Sequence, residues 1–219
     1  MTTPSPGLRE RKKQATREAL REAALRLAVE RGPEQVRVED IAEAAGVSPR
    51  TYNNYFASRE QAIVAAVTAD REARIAAAVA ARPTGARLAD AVTEAVIEQY
   101  TNPGEREREA LLLIAARAAL RDAFLDATTK IESPLTAVVA ERLAEAGEQT
   151  ARVLAASVAA AVRIALEGWL LGSAGTTGAA RSLAPGGLVV PSGSLPDLLR
   201  AAMAPLAPAF DAAEGRLPS

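Results

Sequence analysis

Between Ser48 and Arg59 the chain crowds together side chains that can read or grip a charged, hydrogen-bonding surface: Ser48, Arg50, Thr51, Tyr52, Asn53, Asn54, Tyr55 and Arg59. The chemistry on offer is recognition, not bond-making. A guanidinium can form two parallel bonds to the edge of a guanine, an Asn amide can do the same for adenine, and hydroxyls suit phosphate oxygens. Tyr52, Tyr55 and Phe56 sit in the same stretch of a chain with only three Tyr, three Phe and one Trp. A segment built only to pack would here be written in alanine, which supplies about a quarter of the 219 residues, and leucine. Tyr52 and Tyr55 divide between packing and contact on this ground.

Reaction chemistry is sparse elsewhere. The chain has no Cys and no His. Disulfides, Cys/His zinc sites, a thiolate nucleophile and a Ser-His-Asp triad are therefore excluded. Carboxylate-only sites stay open. However, Glu94, Glu98, Glu105, Glu107 and Glu109 fall on helix faces interleaved with arginines and read as solvated charge. No enzyme activity and no cofactor are expected.

The polar cluster needs elements to hold it. Val36 and Val38 lead into a short helix, Glu39 to Ala45, that holds Ile41, Ala42 and Ala45. Gly46-Val47-Ser48 makes a tight turn, the glycine permitting a left-handed backbone. Ser48 is an N-cap with Pro49 at the first helical position, so a second helix begins there and runs to about Phe56. Ile41, Val47 and Phe56 would fill the small core of this helix-turn-helix.

Alanine is the strongest helix former, and β-branched and aromatic residues are few, so the fold class is all-α. Residues 1–8 read as disordered. Arg9 to Arg31 is an amphipathic helix, with Ala15, Ala19, Leu20, Ala23, Ala24, Leu27 and Ala28 at three- and four-residue spacing, ended by Gly32-Pro33. Ser58 caps a long helix to about Ala81. Further helices are expected over Leu88 to Tyr100, Glu105 to Arg121, residues 122–146 with an adjustment at Pro134, and Gln149 to Leu171. Gly172 to Ser194 reads as a loop. A last helix, Leu195 to Ala213, should bend at Pro205 and Pro208. The expected domains are a helix-turn-helix domain over 9–67 and a second helical domain over 68–219.

Net charge is −1, but it is unevenly spread. Residues 1–67 carry 11 basic and 9 acidic side chains, a net of +2, against 15 and 18, a net of −3, beyond them. Arg11, Lys12 and Lys13 would add salt-dependent, sequence-blind attraction to an anionic partner. The opening residues have no apolar h-region, and the apolar run Val153 to Leu171 holds Arg163 and Glu167. A cytoplasmic protein with no membrane partner is expected. Arginine outnumbers lysine 23 to 3, which with the alanine suggests a bacterial genome rich in GC.

The stretch Arg17 to Ala66 resembles the tetracycline-repressor (TetR/AcrR) family. The similarity is carried by Gly32, Ile41-Ala42, Ala45-Gly46-Val47-Ser48, Thr51, Tyr55-Phe56, Ser58-Arg59-Glu60 and Ile63. The resemblance implies a homodimeric, ligand-responsive repressor. The second helix of its motif would lie in the major groove of double-stranded operator DNA, and its C-terminal helices would hold an effector pocket and the dimer interface. Carried over by position, Ser48, Pro49, Arg50 and Asn54 would meet base edges or nearby backbone. Thr51, Tyr55 and Arg59 would meet phosphates. Three positions depart from the family pattern. Asn53 replaces an aromatic, which opens direct adenine reading. Arg59 stands where lysine is usual. Arg37 stands where a capping threonine is usual, and a phosphate contact could replace the cap. The alternative is a helical interaction protein whose corner only resembles the motif.

For the effector, the expected wall is Tyr100, Leu113, Arg117, Leu120, Arg121, Phe124, Arg163, Glu167 and Trp169, apolar with few polar groups. The small molecule would be largely apolar. Arg117, Arg121 and Arg163, if they face inward, favour an anionic one. The expected dimer interface is a stripe of Val158, Val162 and Leu166 against Leu198, Leu199, Ala202, Met203 and Leu206, two helices from each subunit forming a bundle.

Overall fold

The computed structural model describes residues 7–101, 105–143, 147–179 and 194–215, leaving the side chains of 105–108 and 171–179 aside. Among the described residues every regular element is helical, as the composition predicts. The chain divides into two compact units. One comprises Met1–Ala69 with Glu109–Phe124, and the other Asp70–Arg108 with Leu125–Ser219.

In the first unit, α1 (Leu8–Arg31) buries Leu20, Ala23, Ala24, Leu27 and Ala28, the stripe legible in the sequence. It packs on α4 (Arg59–Thr68), which buries Ile63, Val64 and Val67, and on α2 (Val38–Ala44), which buries Ile41 and Ala42. Gly32 closes α1 at φ +82°, its N–H donating to the Ala28 carbonyl, and a 3-10 turn follows over Pro33–Gln35. Between α2 and α4 lies α3 (Pro49–Tyr52). It is shorter than expected: Asn53 to Tyr55 form a turn, held by Tyr55 N–H donating to Tyr52 O at 2.8 Å.

Two helices expected to be continuous are broken. The helix from Ser58 ends at Thr68, and α5 (Arg71–Ala81) starts afresh after Asp70. Asp70 lies at φ +55°, a left-handed conformation that Asp tolerates better than most residues other than glycine. The expected Glu105–Arg121 helix divides into α7 (Glu105–Ala115) and α8 (Ala118–Asp126) at Ala116-Arg117. A 3-10 stretch over Ala127–Ile131 then leads into α9 (Glu132–Arg142), where Pro134 is accommodated in the first turn.

The second unit packs α5 on α6 (Leu88–Thr101) and α9, α9 on α10 (Gly147–Ala179), and α10 on α11 (Leu195–Met203). Its core includes Ile75, Val79, Val92, Val96, Leu135, Val139, Val158 and Leu166. The chain bends between α11 and α12 (Ala207–Ala213) through a 3-10 turn at Ala204–Leu206, where the prolines predicted it. Arg87 pairs with Asp211 through both carboxylate oxygens, and Glu214 accepts from Leu88 N–H at 3.1 Å, so α12 is fastened to the start of α6. Arg142 donates to the carbonyls of Arg82, Pro83 and Ala86 and so sets the loop between α5 and α6.

The expected loop from Gly172 is corrected over its first part. Helix α10 continues through Ala179, and residues 180–193 lie outside the described residues. Glycine at 172, 175 and 178 weakens a helix without forbidding it. Among the described residues one stretch, Gly147–Leu170, is long and apolar enough to cross a membrane. Its most apolar window is half buried, against α9 and α11, as for a core helix.

Candidate nucleic-acid interface

The helix-turn-helix is built from local chemistry. Arg37 takes the N-cap position of α2, but a guanidinium has no acceptor for the orphan helix N–H groups. Asp40 compensates from three residues on, its Oδ2 accepting from Arg37 N–H at 2.9 Å. At the far end Val47 N–H donates to Ala42 O at 2.9 Å, and Gly46 sits at φ +69°. A Cβ on Gly46 would meet nothing within 4 Å, so conformation and not crowding demands the glycine.

Ser48 caps α3 as expected. Its Oγ accepts from Thr51 N–H at 3.1 Å and lies 2.9 Å from Thr51 Oγ1. Tyr52 resolves to packing. It is fully buried against Phe56, with ring centroids 5.9 Å apart, and its hydroxyl donates to Ser58 O at 2.8 Å. Burial, and then the Glu60 carboxylate, push that phenol up to about 12. Ile41 and Phe56 share the core, while Val47 is only half-buried. With Tyr52 and Phe56 facing inward, α3 and the following turn present the remaining side chains to solvent. Arg37, Ser48, Pro49, Arg50, Asn53 and Asn54 are exposed, and Thr51 and Tyr55 are half-buried. Arg9, Arg11, Lys12 and Lys13 are exposed at the start of α1.

This places guanidinium, amide and hydroxyl groups on one exposed turn, backed by a rigid aromatic pair. Residues 20–66 match the family model for bacterial regulatory proteins of the tetR family. The chain carries the DNA-binding domain of the tetR family. An HTH-type transcriptional regulator, TcmR of Streptomyces glaucescens, is 45% identical over 85 residues, a stretch covering 38% of this chain and 37% of that regulator's length. A crystal structure of a transcriptional regulator from Rhodococcus sp. Rha1 aligns over 92% of this chain and 99% of its own, with 20% identity and a TM-score of 0.42.

Arg59, expected to meet phosphate, has partners within the protein. Its Nη1 donates to the carbonyls of Glu34 at 3.2 Å and Val36 at 3.0 Å, and its Nε donates to Glu60 Oε1 at 2.6 Å. The guanidinium is turned onto the protein's own turn.

The residues of the expected effector wall divide between the two units. Leu113, Arg117, Leu120, Arg121 and Phe124 belong to the first unit, and Tyr100, Arg163, Glu167 and Trp169 to the second. Leu120, Phe124 and Tyr100 are buried, and Leu113 and Trp169 half-buried. Tyr100 carries the Arg71 guanidinium 4.5 Å above its ring, an interaction the spacing did not signal. The three arginines that would favour an anion if they faced inward have partners within the protein. Arg117 is exposed and bonds Glu34, Arg121 donates to Ala115 O at 2.8 Å, and Arg163 donates to Asp126 at 2.8 Å. Glu167 is exposed.

The expected dimer stripe falls largely on residues that one chain already covers. Val158, Val162, Leu166, Leu199 and Met203 are buried within one chain, where α10 packs on α11. Leu198, Ala202 and Leu206 are half-buried. Helix α10 is apolar on nearly every side, so periodicity gave no means of choosing which face turns inward. Its outer face carries Val153 and Ile164, 55% and 65% exposed, with Ser157 and Ala160 between them.

Proposed function

We propose that the protein is a sequence-specific transcriptional repressor that binds double-stranded operator DNA as a homodimer and is released by a small molecule. The observation that carries this is the exposed constellation of Arg50, Asn53 and Asn54 on a capped α3, in a domain of the tetR family. Arg50 and Asn54 supply the bidentate donors that distinguish bases. Asn53, on the turn after α3, adds an amide where the family has a ring. Ser48, Pro49, Thr51, Tyr55 and Arg37 flank them and position the backbone. Base contacts from a helix this short suit a pair of copies reading two half-sites.

Pairing is assigned to the outer face of α10. Val153, Ser157, Ala160 and Ile164 recur at spacings of four, three and four, so they lie on one side of the helix. Small residues between two large apolar ones allow a second helix to approach closely. The effector is placed among the helices of the second unit, whose buried groups are overwhelmingly apolar, with Tyr100 as a polar handle.

The test is selection of binding duplexes from a random pool, followed by quantitative binding of Arg50→Ala. Affinity should fall by ~1–3 kcal/mol and discrimination should relax at one base position. Recovery of no preferred sequence would remove the proposal. Unchanged affinity and specificity would remove Arg50 from the set. Ile164→Glu should shift the protein toward monomer in sedimentation without unfolding it.

A further inference from the structure

The 3-10 turn Pro33–Gln35 is held from two sides by arginines distant in sequence. From the start of α4, Arg59 Nη1 donates to the Glu34 and Val36 carbonyls. From the break between α7 and α8, Arg117 Nε donates to Glu34 Oε1 at 2.5 Å, across 83 positions of sequence. The turn's own backbone, and next the Arg117 guanidinium, hold the Glu34 carboxyl below the usual carboxylate range. Arg59 immediately follows Ser58, whose carbonyl accepts from the buried Tyr52 hydroxyl of α3. The same turn runs directly into Arg37 and the start of α2. Both helices of the DNA-reading motif are therefore tied to one turn by Arg59.

Arg117 adds a different connection. It belongs to Glu109–Phe124, which clusters with the first unit although the chain on either side of it belongs to the second. Both ends of this segment lead straight into the other unit. A shift of residues 109–124 would strain or break the Arg117–Glu34 ion pair that fastens them to the turn.

We propose that Arg117, Glu34 and Arg59 form a positioning relay, in which Arg59 acts on DNA binding by bracing the turn rather than by touching phosphate, and Arg117 makes the brace depend on residues 109–124. Arg59 is then a positioning residue, and the relay supplies one route by which release from DNA could be driven. The DNA arm of the test rests on the proposed function, and the exchange arm does not.

The experiment pairs hydrogen exchange of the full chain with salt titrations on a duplex selected by the wild-type protein. A phosphate contact and a brace differ in salt dependence, because each neutralised phosphate adds about 0.9 to the slope of log affinity against log salt. With Arg59→Ala, affinity should drop about ten- to a hundredfold, as for loss of charged hydrogen bonds, with the slope unchanged. Arg59→Lys should lose affinity too, because a point charge does not reproduce the planar fork between two carbonyls and a carboxylate. With Arg117→Ala, exchange across residues 33–41 should rise about two- to fivefold, the range of a partly exposed ion pair. Adding Glu34→Gln to Arg117→Ala should raise it no further. A slope reduced by about one per subunit in Arg59→Ala, full affinity in Arg59→Lys, or unchanged exchange in Arg117→Ala would each overturn the relay. If the wild-type protein selects no duplex, the function proposal fails, and the exchange measurement still decides the relay because it needs no DNA.

Discussion

Between Gly32 and Ser58 each bend of the chain has a residue that permits it, whereas along α10 the backbone runs 33 residues on one repeated conformation. The first region uses Gly32 and Gly46 at positive φ, Asp40 behind Arg37, and the Ser48 cap with Pro49 after it. Each of these acts at one position and has no substitute nearby. The second region uses Leu154, Val158, Val162 and Leu166, apolar residues whose contribution is area. Area is non-directional and can be supplied by several side chains. One region should therefore be sensitive to the identity of a residue and the other mainly to its size.

The hardest blow to the comparison is at Tyr52. Tyr52→Ala removes a fully buried ring, its contact with Phe56 and its bond to Ser58 O. A loss of about 3–5 kcal/mol is expected in denaturant unfolding, since large aromatic truncations leave a cavity that the surroundings fill poorly. Leu166→Met in α10 is the control, and less than about 1.5 kcal/mol is expected because volume is conserved. Comparable losses from the two would erase the distinction between the regions.

This difference also explains what the sequence made legible. The helix-turn-helix was readable because its signals are positional. Gly46, Ser48 and Pro49 say where one helix stops and the next begins, and the polar side chains that pile up after Pro49 have no packing purpose. Legibility failed where the cause lies outside the segment. Asp70 breaks a stretch, Thr68 to Arg74, that contains no glycine or proline. Arg59 was placed on phosphate by resemblance to the family, and spacing gave no sign of its partners in the structure, the Glu34 and Val36 carbonyls, which lie more than twenty positions upstream. In α10 the difficulty is of another kind. Val153 and Ile164 are as apolar as Val158 and Leu166, and only the packing of α9 and α11 decides which pair is covered. The effector wall was hard to read for the same reason, since helical spacing does not say which helices will cluster together.

A middle-sized effect sharpens the positional side. Gly46→Ala places a Cβ at φ +69°, where an L residue is strained even though the space around it is open. A loss of roughly 1–2 kcal/mol is expected, measured as a lower midpoint in thermal or denaturant unfolding. Because Gly46 precedes the Ser48 cap, the variant should also bind a selected duplex more weakly than its lost stability alone accounts for. A fully retained midpoint would mean that the turn relaxes to negative φ and that the position is not tied to glycine.

The smallest effect is the most pointed, because it is the same substitution with the opposite sign. Gly168 lies within α10, exposed, at ordinary helical φ, and a Cβ built on it meets nothing within 4 Å. Glycine there carries only the entropic cost of ordering an unrestricted backbone, so Gly168→Ala should stabilise the chain by about 0.5–1 kcal/mol. The measurement is a denaturant midpoint at a protein concentration low enough to keep the chain monomeric, beside Gly46→Ala under identical conditions. Opposite signs would tie the two glycines to different causes, a required left-handed turn in one case and mere permissiveness in the other. A loss at Gly168 would show that α10 also makes demands residue by residue, and that the contrast between the regions is one of degree.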